Sequence, residues 1–128
     1  MTPKPYAYNA IVTKVYDGDT ITVDIDLGLG VWLKKQTIRL YGINTPELRG
    51  DEREEGLESR AELIELLQFK GGPLTTKPCH VTIKTYKVKK GKYGSWLAEV
   101  YAVDESNSSI FCVNDMLVRN GYAERKEY

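Results

Sequence analysis

The stretch YDGDTITVDIDL, Tyr16 to Leu27, decides how this chain is read. Two carboxylates flank a glycine, and then Ile21, Val23, Ile25 and Leu27 alternate with Thr22, Asp24 and Asp26. A period of two puts the aliphatic side chains on one face and the polar ones on the other, so a β-strand with one buried face is expected. Asp-Gly is a hairpin signal because glycine takes positive φ at no steric cost, so Asp17–Asp19 is expected to turn the chain into that strand. The acids of the turn have two readings: solvated turn residues, or half of a metal site.

Working outward, LGLG reads as a hairpin loop and VWLKKQTIRLYGI as a second strand stretch, with Ile38 and Leu40 facing opposite to Thr37, Arg39 and Tyr41. NTPELRGD breaks the pattern, since Pro46 and Gly50 suit a loop. REEGLESRAELIELLQF is the clear helix, with Leu57, Ala61, Ile64 and Leu67 as one apolar stripe and acids near its N-terminus, where they complement the helix dipole. Gly56 reads as a flaw in its first turns, and Gly71–Pro73 as its end. CHVTIKTYKV and SWLAEVYAV are further strands around a KKGKYG turn, and VNDMLVRNGYA is a short helix stopped by Gly121. The order is three strands, a helix, two strands and a short helix in a single domain, residues 1–128. A mainly β (α+β) fold is expected: a five-stranded OB-fold barrel with a helix between strands 3 and 4 and a short C-terminal helix. A flat five-stranded sheet is the rival.

The chain has 128 residues, enough to bury a core without staples, and a net charge of zero, which argues against a strong nonspecific grip on nucleic acid. The charge is unevenly spread. Acids dominate from Glu47 to Glu65, and from Lys70 to Ala98 there are lysines and no acid, so one face is either a phosphate-binding stripe or simply a solvated surface. No apolar run at the N-terminus is long enough for a signal peptide or membrane span, so no membrane partner is expected. Cys79 and Cys112 lie in apolar, strand-like surroundings and read as free thiols; Trp32 and Trp96 read as core or partly buried strand aromatics.

Two loops, DGDT and INTPE, each close a strand. With Arg39 they offer Asp17, Asp19, Asn44, the Thr45 carbonyl and Glu47. These are oxygen ligands without a His or Cys cluster, which suits calcium, magnesium or manganese rather than zinc. An EF-hand is excluded, because Ile21 stands where that loop needs a ligand.

VYDGDTITV, IRLYGINTPE, GKYG followed by WLAEVYA, and VNDMLVRNGYA resemble, in order and spacing, the staphylococcal nuclease (thermonuclease) family over roughly Ile11 to Ala123. The resemblance implies an OB-fold barrel and a calcium-dependent phosphodiesterase that cuts DNA and RNA, with single-stranded or denatured nucleic acid as partner and a monomeric state. It implies that Asp19, Asn44 and the Thr45 carbonyl hold the metal, that Arg39 binds the scissile phosphate and that Glu47 handles the attacking water. It also implies that Lys92 and Tyr93 contact a terminal phosphate. The family's third helix would start past Tyr128.

Two departures stand out. Asn44 replaces an aspartate, so one negative charge is lost and weaker metal affinity is expected. Ser95 replaces the second catalytic arginine, and losing such a donor costs roughly a hundred- to a thousandfold in rate. A nuclease impaired at Ser95 and an inactive module that binds nucleic acid or a protein are therefore both live readings.

Overall fold

In a computed structural model, which describes residues 6–69, 78–86, 95–104 and 106–126, β1 (Tyr6–Asp17), β2 (Thr20–Gly28) and β3 (Val31–Leu40) form an antiparallel meander. Along β2, Ile21, Val23 and Ile25 are buried while Thr22, Asp24 and Asp26 are only partly so, as the alternation requires. The β2–β3 hairpin turns through Gly28 and Gly30, both at positive φ. A two-residue strand, β4 (Ile43–Asn44), and a 3-10 turn at Gly50–Glu52 then lead into α1 (Arg53–Leu67). After it come β5 (Cys79–Thr85), β6 (Trp96–Asp104), β7 (Ser109–Cys112), α2 (Val113–Arg119) and β8 (Glu124–Arg125).

The protein is mainly β with two helices. Its sheet runs β3-β2-β1-β5-β6-β7, and β3 also pairs with β6 in parallel through Ile38–Trp96, Arg39–Leu97 and Leu40–Ala98. A ring of hydrogen-bonded strands therefore returns on itself at the end of β3. Val12, Ile21, Val23, Ile38, Leu40, Ile83 and Val100 from the ring pack with Leu63 and Leu67 of α1 and Leu117 of α2. Each such large aliphatic side chain stabilises the fold by roughly 1.5–3 kcal/mol on burial. Asn114 of α2 lies in this core fully satisfied: its Oδ1 accepts from Val100 N–H at 3.0 Å, and its Nδ2 donates to the carbonyls of Tyr41 at 2.8 Å and Ala98 at 3.2 Å. It thus ties the end of β3 to β6. Among the described residues no helix is long and apolar enough to cross a membrane.

Several sequence expectations are corrected. The buried face of α1 is Gly56, Ser59, Leu63 and Leu67, with Leu57 and Ala61 exposed. The stripe is rotated because the first turns of α1 press directly on backbone and have room only for small residues. A Cβ on Gly56 would stand 2.3 Å from the carbonyl oxygen of Glu47. Gly56 is therefore what lets the helix dock. The helix ends at Gln68, in the left-handed conformation at φ 52°, ahead of the expected Gly71–Pro73, which with the KKGKYG turn lies outside the described residues. Five strands were expected, and β4, β7 and β8 add to the five long ones; all three are four residues or shorter and are held by partners far along the chain or across a turn. Trp32 is exposed beneath Lys34, whose ammonium lies 5.4 Å from the ring centroid, whereas Trp96 is half-buried with its indole N–H on Gln36 Oε1 at 3.0 Å.

Candidate phosphate and cation site

The Asp17–Asp19 turn is built from its own carboxylates. Asp19 N–H donates to Asp17 Oδ1 at 3.1 Å, and the Thr20 hydroxyl donates to Asp19 Oδ1 at 3.1 Å. Gly18 is not at positive φ, as the hairpin reading expected. It is needed for close approach: a Cβ there would lie 2.8 Å from the Ser59 Cβ and 3.0 Å from the Thr45 hydroxyl oxygen. Helix α1 thus clamps both loops of the site, one through Gly18 against Ser59 and the other through Gly56 against Glu47. The Ser59 hydroxyl donates to the Tyr122 carbonyl at 2.8 Å, and Leu40 N–H donates to the Asp19 carbonyl at 2.8 Å.

This packing brings four of the expected residues together. Asp19, only 4% exposed, accepts from Thr45 N–H at 3.3 Å through Oδ2, and the same oxygen lies 3.6 Å from Nη2 of Arg39. Arg39 Nη2 also donates to Asn44 Oδ1 at 3.2 Å. The guanidinium therefore bridges the carboxylate and the amide oxygen. Asn44 is held in place from behind, since it pairs with Glu124 across β4 and β8.

Asp17 adds a second carboxyl. Burial first, then the hydrogen bond to Asp19 and its negative charge, push the Asp17 carboxyl up to about 6. The Asp17 carboxyl therefore holds its proton to a higher pH than a solvated carboxyl does. A hard divalent cation fits this donor chemistry: carboxylate, amide and carbonyl oxygens with no nitrogen or sulfur donor. The set is thin, however. Among the described residues no three Asp, Glu, His or Cys side chains gather into a metal cage, so a cation here would have to rely on Asp19, Asn44 and backbone oxygen, with Asp17 alongside.

Glu47 and Ser95 stand apart from this arrangement. The Glu47 side chain, 64% exposed, pairs with Arg49 at 3.2 Å, while its backbone N–H donates to Glu52 Oε2 at 3.0 Å. Sequence reasoning overlooked Arg49, although its place two residues after Glu47 in the same loop was a usable signal. Ser95 is buried immediately before β6, in which Leu97 lies opposite Arg39, so the position adjoins the site but offers no cation. Lys92 and Tyr93 lie outside the described residues.

Asn44 and Thr45 also line a hollow of about 630 Å³, together with Glu47, Glu52, Glu55, Glu58 and Glu124. Its charge disfavours an anionic ligand within the hollow itself. No model of a known protein family matches the chain, and no curated protein matches it.

Proposed function

We propose that the ring is a five-stranded barrel of the OB type, and that its Asp19–Arg39 end binds nucleic-acid phosphodiesters with a divalent cation, as in a thermonuclease-like hydrolase of low activity. The observation that carries this reading is the Arg39 guanidinium spanning Asp19 and Asn44, which joins a fixed cation to an oxygen-rich turn. Arg39 offers a planar fork that matches two phosphate oxygens, and its buried carboxylate partner fixes where the fork sits. Asp19, Asn44 and the Thr45 carbonyl would hold the cation, calcium first and magnesium or manganese as substitutes. When bound, the cation supplies Lewis-acid neutralisation of phosphate charge. Glu47 is the residue for orienting water, once turned from Arg49.

A second reading, a module that binds single-stranded nucleic acid without cutting it, is favoured by Ser95 and by the outward Glu47–Arg49 pair. Cleavage of denatured and duplex DNA with calcium, magnesium or manganese, against a chelator control, separates the two. Metal-dependent cleavage that vanishes in a folded Asp19→Ala variant is the expected result. Calcium-dependent strand binding without cleavage assigns the binding module. Neither binding nor cleavage overturns both, and unchanged calorimetric calcium binding in Asp19→Ala removes that residue from the site.

A further inference from the structure

We propose that an aromatic cleft at the mouth of the ring seats an unpaired nucleobase of the same strand whose phosphate Arg39 holds; this rests on the phosphodiester reading above. The inward-facing positions of β1, β2 and β3 do not stop at the edge of the core. They continue into a cleft of about 340 Å³, walled by Tyr6, Tyr8, Tyr86 and Trp96 over Leu27 and Leu33. Among the described residues no charged side chain lines it. A phosphate gains nothing in such a place. A base does, because it is flat and uncharged and stacks on aromatic rings whatever its identity. A base locked in a duplex cannot leave its own stack without the cost of unpairing, so the cleft selects single strands.

Tyr86 links the cleft to the phosphate site. Its ring stacks on Tyr41 with centroids 4.1 Å apart and planes at 19°, and its hydroxyl donates to the Glu99 carboxylate, so the ring's orientation is fixed from two sides. Its backbone N–H donates to the carbonyl of Leu97 at 3.2 Å, and Leu97 lies opposite Arg39 in the parallel β3–β6 pair. The Tyr86 backbone is therefore about two strand spacings, roughly 10 Å, from that of Arg39, and Tyr6, Tyr8, Leu27 and Leu33 extend the cleft away from it, toward the opposite ends of β1, β2 and β3. One strand of nucleic acid advances about 3.4 Å per nucleotide when stacked. A strand anchored by phosphate at Arg39 thus brings a base to Tyr86 within about three nucleotides.

The test uses the Trp32→Phe chain, which leaves Trp96 as its one tryptophan. Oligothymidylate and an abasic strand of equal length are titrated with calcium present, following anisotropy of the strand and emission of Trp96. Both strands are expected to bind in a salt-dependent way. Only oligothymidylate should quench Trp96, and it should bind about tenfold tighter or more. Tyr6→Ala, at a largely exposed ring, should bring oligothymidylate toward the abasic affinity and leave the abasic strand unchanged. Equal affinities without quenching overturn the cleft while leaving the phosphate site standing. Failure of both strands to bind overturns the phosphodiester reading, and the cleft with it.

Discussion

The two halves of the candidate site are built to different standards. Asp19 and Thr45 are 4% and 7% exposed and are clamped against Ser59, Arg39 and each other. Two residues beyond Thr45, Glu47 has most of its side chain in water, paired to an Arg49 that is itself 86% exposed. An ion pair that open contributes about 0–1 kcal/mol and holds no fixed geometry. The half that gathers charge is preorganised and the half that would handle water is not. Binding depends on the first half and rate acceleration on both, so a site of this kind keeps its ligand longer than its chemistry.

The clamp is the most exposed to a single change. Gly56→Ala places a methyl group against the Glu47 backbone, which cannot yield as a side chain could. A stability loss of about 3 kcal/mol is expected in urea unfolding. If the loss is instead negligible, the clamp is not what holds the loop. The weak half is tested by Ser95→Arg, which should raise metal-dependent cleavage by about a hundredfold or more. An unchanged rate in a folded variant removes this position from the catalytic reading.

The pH dependence probes the charge-gathering half. Asp17 is raised in the fold from its ordinary 3.8 to about 6, so folding favours its protonated form. That contribution is fully present below about pH 4 and is lost as pH rises through about 6. Without divalent cation, stability should fall by roughly 1–2 kcal/mol between pH 4 and pH 7 relative to Asp17→Asn, the shift being discounted because water reaches this half-buried group. The amide can still accept from Asp19 N–H, so parallel pH profiles for the two proteins would refute the shift. The smallest effect belongs to Arg49→Ala, which should change the unfolding free energy by less than about 0.5 kcal/mol. A larger loss would show that the Glu47 loop is better fixed than its exposure indicates.

The strands were legible because alternation is local: Ile21, Val23 and Ile25 carry their burial in their spacing. The glycines were legible as glycines but not in their purpose. Nothing near Gly18 or Gly56 in the chain announces Ser59 or the Glu47 carbonyl as neighbours: the turn at Gly18 is there, but positive φ is not why it is glycine, and Gly56 is no flaw. The stripe on α1 failed for the same cause, since the packing surface offered to its first turns was backbone rather than an apolar pocket. Asp19, Arg39, Asn44 and Thr45 could be singled out as a group by motif, and the structure brings them together. The Glu47–Arg49 pair could not be ranked in advance, because two oppositely charged residues in one loop choose between each other and a site only through exposure.

Arg39 acquires Leu97 as a neighbour only when β6 docks in parallel on β3, across more than fifty residues of intervening chain. During synthesis the β1–β2 and β2–β3 hairpins can pair as they emerge, but the ring has to wait for β6. A nascent chain therefore holds its acidic turn ready while the wall behind Arg39 is still missing. The order of manufacture thus keeps this surface unfinished until β6 has left the ribosome.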